Sequence, residues 1–148
     1  MKKIFTAIAV SAVLALAIVV PARAQLPGTA MRANIPFDFI INGKTLPAGE
    51  YEVRRITDEP DGLVIRNVSN RHDHVVFETE PEQQNQLPRH DEMVFNRYGD
   101  TYFLSEVISG GMETGRKLMP SHNEKELRRE TEFANNNAQP QTVTVATY

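Results

Sequence analysis

The chain of 148 residues contains no cysteine and no tryptophan. Without cysteine there is no disulfide, thiolate metal ligand or thiol nucleophile, so stability must come from packing and strand pairing. Without tryptophan, one of the main anchors of binding surfaces is missing, which weighs against an aromatic sugar-binding platform. Basic side chains are in the minority: 16 Lys and Arg stand against 19 Asp and Glu, a formal net charge of −3. That balance argues against nucleic acid or an anionic membrane surface as partner. No Gly-x-Ser-x-Gly elbow and no His-Glu-x-x-His run occurs either, so the commonest serine-hydrolase and zinc-peptidase signatures are absent.

What is present begins with an export signature. Lys2 and Lys3 are followed by the uncharged run Ile4 to Val20, then by Ala22-Arg23-Ala24. Charge, apolar run and small-x-small triplet, in that order, describe a cleavable secretory signal over residues 1–24. The competing reading is a membrane anchor. Thr6, Ser11 and many alanines keep the run only moderately apolar, and Pro21 closes it as a cleavage site would be closed. A mature chain starting at Gln25 is thus expected in the periplasm or outside the cell, with no stable membrane anchor. Loss of Lys2, Lys3 and Arg23 removes three positive charges and takes the net charge from −3 to −6.

Residues 25–120 read as one all-β domain. Met31, Ala33, Ile35, Phe37, Phe39 and Ile41 alternate with polar neighbours, the period of a half-buried strand. Pro36 withholds a backbone donor, so this strand is expected at a sheet edge or at a bulge. Asn42-Gly43 is a hairpin turn dipeptide, and Leu46-Pro47-Ala48-Gly49 is a second turn whose glycine permits a backbone angle other residues resist. Further strands are expected around Tyr51–Val53, Leu63–Val68, His74–Thr79, Glu92–Tyr98 and Thr101–Ile108. The turns between them fall at Asp58–Gly62, Ser69–Asp73 and Gly99-Asp100, and a polar crossover at Glu80–His90. About six or seven short strands in this rhythm indicate a Greek-key β-sandwich or a small open barrel.

The pattern changes after Pro120. Ser121 and Glu124 form a capping box that opens a charged helix over residues 121–134. A polar linker at 135–141 leads to Thr142–Tyr148, an uncharged segment rich in β-branched residues. That last segment needs a sheet edge: its own sheet, or self-association by strand addition to a neighbouring molecule.

The segment from Ile35 to Val53, with Pro36-Phe37-Asp38-Phe39 and Leu46-Pro47-Ala48-Gly49-Glu50-Tyr51, resembles the opening of a family of small exported acidobacterial proteins. Leu63–Asn67, Tyr102-Phe103-Leu104 and the Ser121–Arg128 region resemble it too. The resemblance implies export and a β-rich fold, and it brings no catalytic residue with it. More locally, Leu46–Val53 is similar to the turn and strand of transthyretin-like and other Greek-key sandwich domains. That similarity implies a structural role for Tyr51, whose hydroxyl would tie the corner formed by Pro47 and Gly49.

One constellation suggests chemistry. His72 and His74, two apart on extended backbone, would point the same way, with His90 as a third nitrogen ligand. Asp91, Glu92 and His122 would extend the set, and zinc would fit such ligands. On that reading the protein is a metal-binding protein or metal-dependent hydrolase. The opposing reading is that these side chains are solvated turn residues. Gly110-x4-Gly115 superficially matches a phosphate loop, but Arg116 stands where lysine is required. An outer-membrane barrel is disfavoured by short strands that carry charge on both faces. The expectation is a non-catalytic binding or structural module without cofactor, whose partner is a protein or small ligand.

Overall fold

The alternation that begins at Met31 is cut in two at Pro36. β1 (Met31–Ile35) and β2 (Phe39–Ile41) lie in different sheets. Proline has no N–H to offer a ladder, so the chain leaves one sheet there and turns the corner into the other. The computed structural model describes residues 30–134 and 139–148. The expected signal segment 1–24 and positions 135–138 of the expected linker lie outside the described residues.

After β2 come β3 (Lys44–Leu46), β4 (Gly49–Ile56), β5 (Glu59–Asn67) and β6 (His74–Glu78). Then follow β7 (Glu80–Gln83), β8 (Glu92–Tyr98), β9 (Thr101–Ile108), β10 (Thr114–Lys117), α1 (His122–Ala134) and β11 (Gln141–Ala146). The first sheet has the order β1-β4-β5-β6. The second runs β11-β8-β9-β10-β7, and β2 joins it through the parallel pair Ile40 and Phe103, carrying β3 with it. The described residues form an all-β sandwich with one helix near the C-terminus, and no barrel closes among them.

The described residues form eleven strands, against the six or seven and the terminal strand expected. Pro36 divides one run in two, and Glu80–Gln83, expected as crossover loop, pairs with β10. Its sequence Glu-Pro-Glu-Gln has no apolar alternation to reveal a strand. The chain thus changes sheets a third time at Thr79, between β6 and β7, after the changes at Pro36 and between β3 and β4.

Phe39 joins the two layers. It is fully buried and meets Tyr51 of β4 edge-to-face at 5.0 Å and Phe95 of β8 at 5.5 Å. Phe37, half-buried at the corner, stacks on Tyr102 at 3.9 Å. Such pairs add about 0.5–1.5 kcal/mol each beyond the area they bury. Ala33, Ile35, Ile65 and Met93 complete the centre with no exposed surface. A core of this kind is consistent with a cysteine-free sequence.

The helix docks in an unexpected way. The Glu124 N–H donates to Ser121 Oγ at 3.3 Å, an N-cap bond. The Glu124 carboxylate, however, turns into the fold: Oε1 accepts from Asn96 Nδ2 at 2.9 Å and from the Tyr98 hydroxyl at 3.5 Å. Glu124 is the one buried residue of α1, whereas Phe133 is 88% exposed. A helix with little apolar surface is held against β8 by a carboxylate. No helix among the described residues is long and apolar enough to cross a membrane.

β11 pairs with β8 over six positions, Gln141 with Arg97 through Ala146 with Glu92. The segment that was a candidate for self-association therefore pairs within its own chain, on the second sheet. Val143 and Val145 pack half-buried against the core.

Candidate functional site

The turn between β2 and β3 has positive φ at both central residues, 49° at Asn42 and 79° at Gly43. That is the geometry two-residue hairpins prefer. Beyond it, the Tyr51 hydroxyl donates to the Pro47 carbonyl at 2.7 Å, and Asp38 Oδ1 accepts from the Ala48 N–H at 2.8 Å. Gly49 has φ of 156° and lies against Asn67, whose Nδ2 would sit 3.2 Å from an added Cβ. Burial pushes the Tyr51 phenol above its ordinary pKa, as expected of a buried neutral group. Asn42 and Gly43 thus close a hairpin within the second sheet, and Pro47, Gly49 and Tyr51 form the corner by which the chain passes to the first.

Asn67 also governs the neighbouring turn. Its Oδ1 accepts from the N–H groups of Ser69 at 2.9 Å and Asn70 at 2.8 Å. Asn70 Nδ2 in turn donates to Asp73 Oδ2 at 2.8 Å, and the His74 N–H reaches the His72 carbonyl at 3.1 Å. The backbone from His72 to His74 is therefore a tight turn, not the extended strand that would align two imidazoles. Both side chains are exposed, and so is His90 in the loop before β8. Among the described residues, no group of three or more His, Asp or Glu side chains could hold a metal ion. His72, His74 and His90 are not brought together as zinc ligands. Asp91 is engaged elsewhere, since its Oδ1 accepts from the Gly110 N–H at 2.6 Å. His122 pairs with Glu126 at 3.1 Å along the helix.

The glycines at 110–115 are also accounted for locally. Met112 N–H donates to the Ser109 carbonyl at 3.2 Å, closing a turn. Gly115 lies under the Gln84 and Glu106 side chains, where an added Cβ would fall 2.6 Å from Gln84 Nε2. Burial raises the pKa of Glu106 above the usual carboxylate range, an effect the hydrogen bond from Gln84 opposes.

A groove lies where the first sheet ends. In β4, Arg55 faces Leu63 and Ile56 faces Glu59, so Pro60, Asp61 and Gly62 bulge out of that ladder. By its residue types, Asp58–Gly62 is expected as a turn. The turn is Thr57-Asp58, and the bulge tolerates Pro60 because no ladder donor is needed there. On its other side the bulge still pairs with β6: Gly62 lies opposite Glu78, and the Thr79 N–H donates to the Asp61 carbonyl at 2.9 Å.

The bulge and β6 line an open groove of about 830 Å³, together with Asn42 of the β2–β3 turn and Met119 beyond β10. Asp58, Glu59, Asp61, Glu78 and Glu80 line it, with Val76 supplying an apolar patch that is 55% exposed. Asp61 is paired to Arg116 at 2.7 Å.

β6 is the last strand of its sheet. The bonds of Thr79 to Asp61 and of Asn67 to Asp73 fix the alternation along β5 and β6. His74, Val76 and Glu78 consequently direct their backbone N–H and C=O away from β5. Lys44 Nζ donates to the His74 carbonyl at 3.2 Å. Past that contact, Val76 and Glu78 also line the groove. No motif signals this site, because its parts come from widely separated segments. The visible clues are a Pro-Asp-Gly run and the acids around it.

No family model matches the chain, and no curated protein and no solved structure matches it.

Proposed function

We propose that this protein is an exported, non-catalytic interaction module that takes an extended segment of another protein by strand addition at β6. The observation that carries the reading is the row of outward backbone groups at Val76 and Glu78 on an unpaired sheet edge. An unsatisfied edge is a template for a further strand, whose main-chain bonds supply affinity while alternate side chains supply selectivity. The reading is also supported by the exposed Val76 at the middle of this strand and by the groove that Val76 and Glu78 line. Export rests on Lys2-Lys3, the uncharged run that follows and Ala22-Arg23-Ala24. The resemblance of Ile35–Val53 to small exported proteins agrees with it.

The test is selection from a displayed library of extended peptides of unbiased charge against residues 25–148. Amide hydrogen exchange then maps where selected peptides bind. Slowed exchange at Val76 and Glu78 is expected. Selected peptides that leave both amides unchanged, or a library that yields no binder, would overturn the reading.

A further inference from the structure

We infer that, when no guest is bound, β6 pairs antiparallel with β6 of a second copy, centred on Val76, in a two-fold dimer; this rests on the strand-addition reading and names what covers the edge in the free protein. The outward backbone groups of β6 belong to His74, Val76 and Glu78, spaced evenly about Val76. An antiparallel neighbour centred there sets Val76 against the partner's Val76 and His74 against the partner's Glu78. Val76 then exchanges both of its main-chain bonds with its counterpart. The Glu78 N–H donates to the partner's His74 carbonyl, an oxygen that keeps a second lone pair beside its bond from Lys44. The His74 N–H stays with the His72 carbonyl inside the turn.

The side chains fit the same arrangement. His74, Val76 and Glu78 share the exposed face of β6, beside Arg66, Val64 and Gly62 of β5. Pairing about Val76 therefore continues the Val64–Val76 row into the partner's valines, and covers a side chain that is 55% exposed. The two ends of the edge carry opposite charge. Lys44 and Arg66 stand at the His74 end, and Glu78 marks the other end, beside a glycine. Among the described residues, no ion pair engages Lys44, Arg66 or Glu78. Antiparallel pairing brings each positive end against the partner's negative end, on both sides of the axis. A guest strand of uniform charge would meet like charge at one end. A second copy carries the complementary order, and its docking closes the edge to further addition.

One strand pair buries little area, so the dimer should be weak and reversible. The test is sedimentation velocity of residues 25–148 at rising concentration, with amide exchange measured at both ends of the range. A dimer is expected, with exchange at Val76 and Glu78 slowed where it forms. Glu78→Lys or Lys44→Glu alone sets like charges opposite each other at both ends, and each should weaken dimerisation about tenfold at low salt. Mixing the two variants restores opposite charges, so a mixed dimer close to native strength should form. The thermal midpoints of both variants should stay near the native value. A chain that remains monomeric at every concentration would overturn the inference; peptides from the unbiased library that protect the two amides would then leave strand addition standing. A dimer in which these amides exchange as in the monomer uses another face and overturns it too. So does native dimerisation in both single variants, or a mixture that fails to pair while the native chain does. If the chain stays monomeric and the library also yields no binder, strand addition itself is wrong.

Discussion

The Tyr51 hydroxyl and the Pro47 carbonyl lie 2.7 Å apart, joining the second strand of the first sheet to the turn that leads into it. The ring of the same tyrosine meets Phe39 of the second sheet edge-to-face at 5.0 Å. One side chain therefore closes a corner through its oxygen and holds two layers through its ring. Tyr51→Phe keeps the ring and removes the hydrogen bond. It should cost about 0.5–1.5 kcal/mol, measured by urea denaturation, with an unchanged slope. No loss of stability would mean that the bond is not part of what holds the corner.

The segment after the helix ties the sheets together from the opposite edge. Thr147 N–H donates to the Asp91 carbonyl at 3.0 Å, and Tyr148 N–H to the Arg32 carbonyl at 2.9 Å. The Tyr148 hydroxyl reaches Glu50 Oε1 at 3.0 Å. Deleting residues 139–148 should lower stability by about 2 kcal/mol or more, from the uncovering of Val143 and Val145 alone. The assembly state measured by light scattering should match that of the full chain. A drop in assembly mass with no loss of stability would mean that β11 is shared between molecules.

Tyr98 makes the fold sensitive to alkali. Burial first, and then the Glu124 carboxylate, push its phenol up to about 12 from an ordinary 10.0. A group whose folded pKa is raised binds its proton more tightly when folded. Its effect is absent below pH 10 and destabilises as pH rises from 10 towards about 12, to the extent of roughly 2–3 kcal/mol. Denaturation at a series of pH values across that interval should show falling stability in the native protein and a shallower fall in Tyr98→Phe. Equal slopes would place the titration elsewhere.

Much of the architecture is written in local pattern. Alternation marks the strands flanking Gly99-Asp100, and the Asn42-Gly43 dipeptide marks its hairpin, because both depend on neighbours in sequence. Changes of sheet are not local. Pro36 signals a break, but not that Phe39 will pair beside Phe103 in another layer. Pro60, Asp61 and Gly62 suit a turn and a bulge equally well, so composition alone selected the wrong one. Ser121 and Glu124 match a capping box, yet the Glu124 carboxylate is taken by Asn96, a partner from a distant strand. The histidines misled for a related reason: spacing of two aligns side chains only on extended backbone, and Asn67 bends that backbone into a turn. The groove was illegible because it combines Asn42, the bulge, β6 and Met119.

The most direct test of the account is Val76→Pro, studied with peptides selected from the unbiased library. The Val76 N–H points away from β5, so proline there removes no bond of the existing ladder and suits an edge position. Thermal stability should stay close to that of the native protein, while affinity for the selected peptides should fall at least about tenfold with the loss of a main-chain bond. A folded Val76→Pro protein that binds those peptides as tightly as the native chain would contradict strand addition at β6.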